Sequence, residues 1–411
     1  MSTIVLAYSG GLDTSVLLKK YVLEGHRVVA LTLDLGESDG TAGAGASAAL
    51  DEVKAKALAL WAYDALLVDA KERFIAELAF PALRANALYE GVYPLSAALS
   101  RPLIAALLVE TAHRYSADAV AHGCTGKGND QVRIELAVRA LAPHIRTLAP
   151  LRDTPLSRPE AMKFAHVHRV PISSSVEKPY SIDANLWGRS IEAGVLEDPW
   201  AAPPEDAFAW TAPAHRQPVE PEYVEIAFER GLPHVDDLHG ARLVAELNRR
   251  AGAHGIGRID LVEDRVIGVK SREVYECPGS IALIAAHKAL ERLVLTRDEL
   301  RFKASVDQKY AELTYDGLWP SPLRKALDAF NAALAERMTG RVRLRLHRGV
   351  AAADGTASPF ALYDEKLATY GAGDRFRHDA ASGFIELWGL PLELGAAVTR
   401  RESAGALGST S

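Results

Sequence analysis

The sequence predicts an α/β protein, a doubly wound parallel sheet followed by a second, α+β domain. Three observations carry that expectation. Short β-branched runs alternate with helix-period segments through the first 170 residues, as parallel strands joined by helical crossovers require. The chain has 411 residues, beyond the size at which one core stops growing. A Gly-Gly turn follows the first strand and precedes the first helix, the place where a doubly wound sheet puts its ligands.

Taken in order, residues 3–7 read as a short buried strand, and residues 14–23 as a helix that Gly25 ends. Further strands are expected at 28–33, 65–68, 119–122 and 145–148, separated by helices at 49–61, 71–80, 103–115 and 130–141. Residues 40–47 are Gly/Ala-rich without an apolar period and read as a flexible insertion. The proline-rich stretch 153–221 reads as a connector with few long elements. Beyond it, strands are expected at 223–228, 258–262, 266–270 and 341–346, and helices at 240–251, 280–293, 298–314 and 322–338. In the last of these strands Arg341, Arg343, Arg345 and His347 alternate with Val342, Leu344 and Leu346, the pattern of a solvated basic face over an apolar one. The expected division is residues 1–170, 171–395 and a small polar, flexible tail, 396–411.

Hydrophobic residues make up 48% of the chain and charged residues 24%, ordinary for a soluble α/β protein. No stretch is apolar enough to span a membrane, and the N-terminus lacks a signal-peptide pattern, so a cytoplasmic location is expected. Two cysteines, Cys124 and Cys277, exclude a disulfide framework and zinc-type spacing, and no protein-ligated metal is expected. A net charge of −6 gives no general attraction to nucleic acid.

The turn Ala7-Tyr8-Ser9-Gly10-Gly11-Leu12-Asp13-Thr14-Ser15 is built to hold phosphate. Its backbone N–H groups lie at a helix N-terminus with no intrahelical partner, and the helix dipole adds positive potential there. Gly10 and Gly11 leave the approach open, Ser9, Thr14 and Ser15 add hydroxyls, and Asp13 could hold a cation or cap the helix. The spacing matches neither a Walker loop nor a dinucleotide fingerprint. Its S-G-G-x-D-[ST]-S pattern resembles the PP-loop of the ATP pyrophosphatases, which implies ATP with Mg²⁺, cleavage between the α and β phosphates, and a substrate activated by adenylation.

A second Gly-rich loop, from His122 to Glu135, follows the fourth expected strand and should emerge at the same sheet edge. Thr125, Lys127, Asn129, Asp130, Gln131 and Arg133 crowd it with an amide, a carboxylate and cations, a set suited to a zwitterionic amino acid. With two more blocks, residues 180–194 and 255–279, the chain resembles the argininosuccinate synthase family along nearly its whole length. That resemblance implies ligation of citrulline to aspartate through a citrullyl-AMP intermediate, giving AMP and pyrophosphate, by a homotetramer whose C-terminal domain makes the subunit contacts.

Carried across position by position, residues 7–15 would hold ATP, with Leu33 and Gly123 near the nucleotide. Thr125, Asn129 and Asp130 would contact aspartate, and Tyr93, Asn129, Arg133, Ser181, Ser190, Glu263 and Tyr275 citrulline. Asp13 and Asp130 are the candidate catalytic groups, Asp130 as either a base or an orienting group. The family's hydroxyl residue five positions after Tyr93 falls on Ala98 here, so its contact is absent or moved to Ser96. Read alone, Ser181 would be a helix N-cap, Ser190 a residue on an exposed helix face and Glu263 part of a charged turn; only the block match gives them a role. The alternatives are another PP-loop ligase, or a catalytically silent nucleotide-binding protein.

Overall fold

The computed structural model describes residues 1–36, 44–171 and 180–408. The first part of the chain runs β1 (Thr3–Ala7), α1 (Leu12–Leu23), β2 (Arg27–Asp34), α2 (Ala44–Ala59), β3 (Asp64–Asp69), α3 (Lys71–Phe74), α4 (Phe80–Arg84), α5 (Ser96–Arg114), β4 (Ala119–Ala121), α6 (Asp130–Leu141), β5 (Arg146–Leu148), α7 (Pro150–Asp153) and α8 (Arg158–Val167). It continues with β6 (Ser181–Asn185), β7 (Gly188–Glu192), β8 (Glu222–Glu229), β9 (Leu232–His234), α9 (Gly240–Ala253), β10 (Arg258–Asp264), β11 (Lys270–Glu276), α10 (Pro278–Val294), α11 (Arg297–Tyr315), α12 (Pro322–Ala335), β12 (Gly340–His347) and β13 (Val350–Ala357). Two helices close it, α13 (Glu365–Ala368) and α14 (His378–Gly408).

The first sheet has the order β3-β2-β1-β4-β5, and each neighbouring pair is parallel. Helices cover both faces of such a sheet, so its strands are buried almost without a break: Ile4, Val5 and Leu6, then Val28 to Leu31, are at most 1% exposed. The strand order reverses at β1, whose neighbours are β2 and β4. The crevice beyond the carboxyl ends of β1 and β4 is therefore the topological switch point. Both Gly-rich loops leave from it.

Two antiparallel sheets follow, β10-β11-β7-β6 and β13-β12-β8-β9. In β12, Val342, Leu344 and Leu346 are fully buried. Arg341 and Arg343 face solvent and pair with Glu225 and Asp354, which accounts for the alternation. All three sheets belong to one compact unit, Met1–Phe360, while Ala361–Ser411, holding α13 and α14, forms a second.

Several expected elements differ. The expected strand 266–270 is mostly the β10–β11 turn: Arg265 N–H donates to the Val269 carbonyl, Gly268 has φ +83°, and strand pairing resumes at Lys270. Its apolar residues misled the period, because Ile267 and Val269 are exposed. The proline-rich connector holds a complete hairpin, β6–β7, whose alternate polar residues concealed it. Helix α5 begins at Ser96 rather than 103 and contains Pro102. Helix α2 starts at Ala44, inside the expected flexible insertion, whose residues 40–43 lie outside the described residues. Helix α14 runs to Gly408 through most of the segment expected to be a tail, and residues 409–411 lie outside the description.

Candidate active site

The first loop is shaped by glycine stereochemistry. Gly10 adopts φ +75°, and a Cβ there would stand 2.9 Å from Val53 Cγ2, so both backbone and space exclude a side chain. Gly11 is the N-cap of α1 with no side-chain cap bond, and a Cβ would meet only Ser9 Oγ at 3.4 Å. A larger side chain at Gly11 would instead occupy the open approach. The hydroxyls form a local lattice: Ser9 Oγ lies 3.1 Å from Thr14 Oγ1, and Tyr8 OH lies 3.0 Å from Ser15 Oγ. Ser9, Gly11 and Asp13 are exposed, and the Asp13 carboxylate has no partner among the described residues. Such an arrangement is an anion cradle with one free carboxylate beside it.

Lys56, which sequence reasoning passed over, donates from Nζ to the Gly10 carbonyl at 2.7 Å. Burial lowers its pKa from the usual lysine value. It sits one helical turn from Val53, so α2 supplies both a wall and a cation to the loop.

The second loop lies directly against the first. A Cβ on Gly123 would stand 3.2 Å from Thr14 Cγ2, so glycine permits the close approach. Gln131 Nε2 folds the loop by donating to the Gly126 carbonyl at 2.6 Å. Beneath it, burial and the nearby Asp130 carboxylate push the Cys124 thiol up to about 12. Burial likewise raises Cys277. Neither environment favours the thiolate that a cysteine nucleophile needs.

From the second loop a pocket of about 100 Å³ runs onto the β10-β11-β7-β6 sheet. Strand register builds its floor. Ser190 pairs with Asp183 on one side and Tyr275 on the other. Side chains two residues apart share a face, so Glu192, Glu263 and Glu273 join them. Tyr93 stacks on Tyr275 with ring centroids 3.9 Å apart, and Tyr89 stacks on Tyr315 at 3.5 Å.

Hydrogen bonds then join segments distant in sequence. The Glu263 carboxylate accepts from Tyr275 OH and from Tyr315 OH, each at 2.5 Å. Asn129 Nδ2 donates to Tyr315 OH at 2.9 Å, and Asn129 Oδ1 accepts from Val266 N–H at 3.0 Å. Burial raises the Glu263 pKa, and the two phenols pull it back. Arg133 is 4% exposed; its Nε donates to the Tyr315 carbonyl at 2.8 Å, and one NH1 proton reaches Asp130 at 3.2 Å. Its NH2 is buried without a partner among the described residues. A buried guanidinium with one free arm in a pocket wall is suited to a substrate carboxylate.

The comparisons with known proteins bear on this geometry. A family model described as the arginosuccinate synthase N-terminal HUP domain matches residues 3–171, and one described as the arginosuccinate synthase C-terminal domain matches residues 180–394. The chain is 52% identical over 406 residues to the argininosuccinate synthase of Bacillus pumilus, covering 98% of each chain. It is equally identical to that of Geobacillus kaustophilus, over 98% of this chain and 97% of the relative. The chain belongs to the argininosuccinate synthase family. Members of that family are carbon–nitrogen ligases of arginine biosynthesis, and its HUP domain is the parallel sheet described above.

The residues assigned by the family resemblance separate into two groups. Tyr93, Asn129, Asp130, Arg133, Ser190, Glu263 and Tyr275 all line the pocket. Thr125 and Ser181 do not: Thr125 is exposed on the second loop, and Ser181 lies on the pocket face of β6, opposite Glu192 and beyond the lining. Ser181 and Ser190 lie on strands rather than at a helix cap or on a helix face, and Glu263 is buried in β10 rather than in a charged turn. Leu33 is the penultimate residue of β2, at 9% exposure. Ala98 is fully buried, whereas Ser96 Oγ lies 3.3 Å from Tyr93 OH, so Ser96 is the hydroxyl beside that tyrosine. Asp183, Glu192, Arg265, Glu273 and Tyr315 also line the pocket and went unread. The alternation Ser190-x-Glu192 and Glu273-x-Tyr275 was the signal available for two of them, Glu192 and Glu273.

A larger cavity, about 730 Å³, lies against α10 and α11 and contains none of the residues predicted from sequence. No helix among the described residues is long and apolar enough to cross a membrane.

Proposed function

We propose that this chain joins citrulline to aspartate at the expense of ATP, giving argininosuccinate, AMP and pyrophosphate. One observation supports the reading: an anion cradle and a charged pocket meet at the switch point of a chain whose residues 3–171 and 180–394 match the family's two domains. The ureido carbon of citrulline is a poor electrophile, so its oxygen first attacks the α phosphorus of ATP. Pyrophosphate departs toward residues 9–15, where preorganised N–H donors and the α1 dipole meet the developing charge. The aspartate amine then attacks the activated carbon and displaces AMP. Positioning and electrostatics carry the catalysis without a covalent enzyme intermediate.

In this reading residues 7–15 hold the triphosphate, with Leu33 and Gly123 beside the nucleoside. Thr125, Asn129 and Asp130 take aspartate, while Tyr93, Asn129, Arg133, Ser181, Ser190, Glu263 and Tyr275 take citrulline. Among the described residues no cluster of three His, Cys, Asp or Glu could cage a metal; a Mg²⁺ that enters on ATP needs only one or two carboxylates, and the free Asp13 suits it. That ion neutralises phosphate charge.

We extend the reading to a nucleotide-binding domain near residues 1–170, a synthetase domain near 171–395, a cytoplasmic location and a homotetramer. Exposed Phe384, Ile385, Leu387, Trp388 and Leu392 on α14 support an assembled state, since monomers rarely leave such a patch bare. Light scattering of the purified protein tests it. The activity is tested by incubation with ATP and Mg²⁺, with and without each amino acid. AMP, pyrophosphate and argininosuccinate together, only when both are present, support the reading; ADP overturns it.

A further inference from the structure

We propose that Asp183 is the group that takes the proton from the aspartate α-ammonium, and that Arg101 positions it beside Asp130. The inference rests on the reaction proposed above and assigns a step that Asp130 alone left open.

The geometry comes from one nitrogen. Arg101 is buried on α5, and its NH2 donates both to Asp130 Oδ2 at 2.7 Å and to Asp183 Oδ2 at 2.6 Å. Its NH1 is fixed by Ser100 Oγ at 2.8 Å. Two carboxylates sharing one hydrogen-bond donor must stand side by side. Asp130 belongs to the helix start assigned to aspartate, and Asp183 pairs across β6 and β7 with Ser190, assigned to citrulline. Asp183 thus occupies the seam between the two substrates, where the new C–N bond forms. Its carboxylate lines the pocket, where a ligand can reach it.

Electrostatics separates the two carboxylates. Asp130 is paired with Arg133 as well as Arg101, and these guanidiniums outweigh burial and hold it below the usual carboxylate range. A carboxylate so stabilised as an anion is a poor base, though a good partner for an ammonium. Asp183 is raised above the usual carboxylate range, chiefly by burial, with Arg101 opposing and the negative Asp130 reinforcing it. The charged and titratable groups around it are Arg101 from α5, Asp130 and Arg133 from α6, Cys124 from the second loop and Glu192 from β7. When environments push two adjacent carboxyls apart, the higher one is suited to accept the proton.

The step balances as follows. The ammonium N–H bond breaks and its proton moves to an Asp183 oxygen, leaving the lone pair on nitrogen. That pair forms the C–N bond to the activated ureido carbon. As the C–O bond breaks, its electrons stay on AMP, and the second amine proton passes to water.

The test is Asp183→Asn in the full chain, with Asp183→Glu as the variant that keeps a carboxylate. In a single turnover with all substrates, wild type should release pyrophosphate and argininosuccinate together. Asp183→Asn should form pyrophosphate ahead of argininosuccinate, with condensation slowed roughly 10²–10⁴-fold, the range for a lost general base. The part of the acid limb of kcat/KM for aspartate that is set by the Asp183 carboxyl should be lost in Asp183→Asn, leaving a rate that rises with pH only as free amine becomes available, and Asp183→Glu should recover part of both. Equal loss of pyrophosphate and product, or an unchanged acid limb, overturns the assignment. Absence of pyrophosphate and AMP in wild type would instead overturn the reaction itself.

Discussion

The phosphate loop and the amino-acid pocket adjoin, yet they are built by opposite means. The loop is made of main chain: two glycines, a helix start and a few hydroxyls within seven residues, 9–15. The pocket is made of side chains brought together from α5, α6, β6, β7, β10, β11 and α11. A backbone site fails when something is added to it. A side-chain site fails when one partner is removed.

That contrast is broken or sharpened first at Gly10. Gly10→Ala places a methyl 2.9 Å from Val53 Cγ2 on a backbone at φ +75°. Local strain of about 1–3 kcal/mol is expected, and displaced N–H donors should lower kcat by roughly 10²–10³-fold, as loss of an oxyanion donor does. Adding Val53→Ala relieves the contact but not the dihedral, so the double variant should remain impaired. Near-normal pyrophosphate release in Gly10→Ala would mean that the loop does not work through its backbone.

The matching deletion in the pocket is Glu263→Gln. It removes the charge that receives two phenol hydrogens, at 2.5 Å each. Hydrogen bonds to a charged group contribute about 1.5–3 kcal/mol, so kcat/KM for citrulline should fall roughly 10- to 150-fold. KM for ATP should stay within about twofold, because the phosphate loop shares none of these bonds. Parallel loss on both substrates would show that the regions are not separable.

The same contrast explains what could be read from sequence. Residues 7–15 announce themselves because glycine, hydroxyl and carboxylate stand in one short window and only a phosphate-type turn needs them all. The parallel strands were legible for a related reason: burial on both faces leaves continuous apolar runs. Tyr315 carries no such local sign. It ends α11 like any aromatic, and its link to Asn129 spans 186 positions. Arg101 follows Ser100 in an apolar helix, and nothing nearby announces the carboxylates it joins. The β6–β7 hairpin escaped because its inward face, with Asp183, Ser190 and Glu192, lines a polar pocket rather than an apolar core.

Polar pockets also cost stability, and Glu273 makes that measurable. Burial and the neighbouring Glu192 push its carboxyl up to about 8, with Arg265 pulling it back. The folded state therefore holds a proton that the unfolded chain has released above the ordinary carboxylate pKa. Between about pH 4.5 and 8 the native state binds more protons, so this group's contribution makes stability fall as pH rises. Glu273→Gln should flatten that decline, raising Tm relative to wild type at pH 8 more than at pH 5. A constant Tm difference across the range would mean that Glu273 titrates normally.

The smallest effect is expected at Ser96, whose hydroxyl lies beside Tyr93. Tyr93 OH accepts from Ala97 N–H at 2.9 Å and lies 3.3 Å from Ser96 Oγ, so the serine orients a phenol already held by the backbone and by its stack on Tyr275. A hydrogen bond of this kind contributes about 0.5–1.5 kcal/mol, and Ser96→Ala should raise KM for citrulline roughly 2- to 10-fold with little change in kcat. Ala98→Ser tests the alternative position. Ala98 is fully buried near the start of α5 and does not line the pocket, so its added hydroxyl should leave citrulline binding unchanged. If Ala98→Ser tightened citrulline while Ser96→Ala did nothing, the contact would have been lost rather than moved, and this wall of the pocket would work by shape alone.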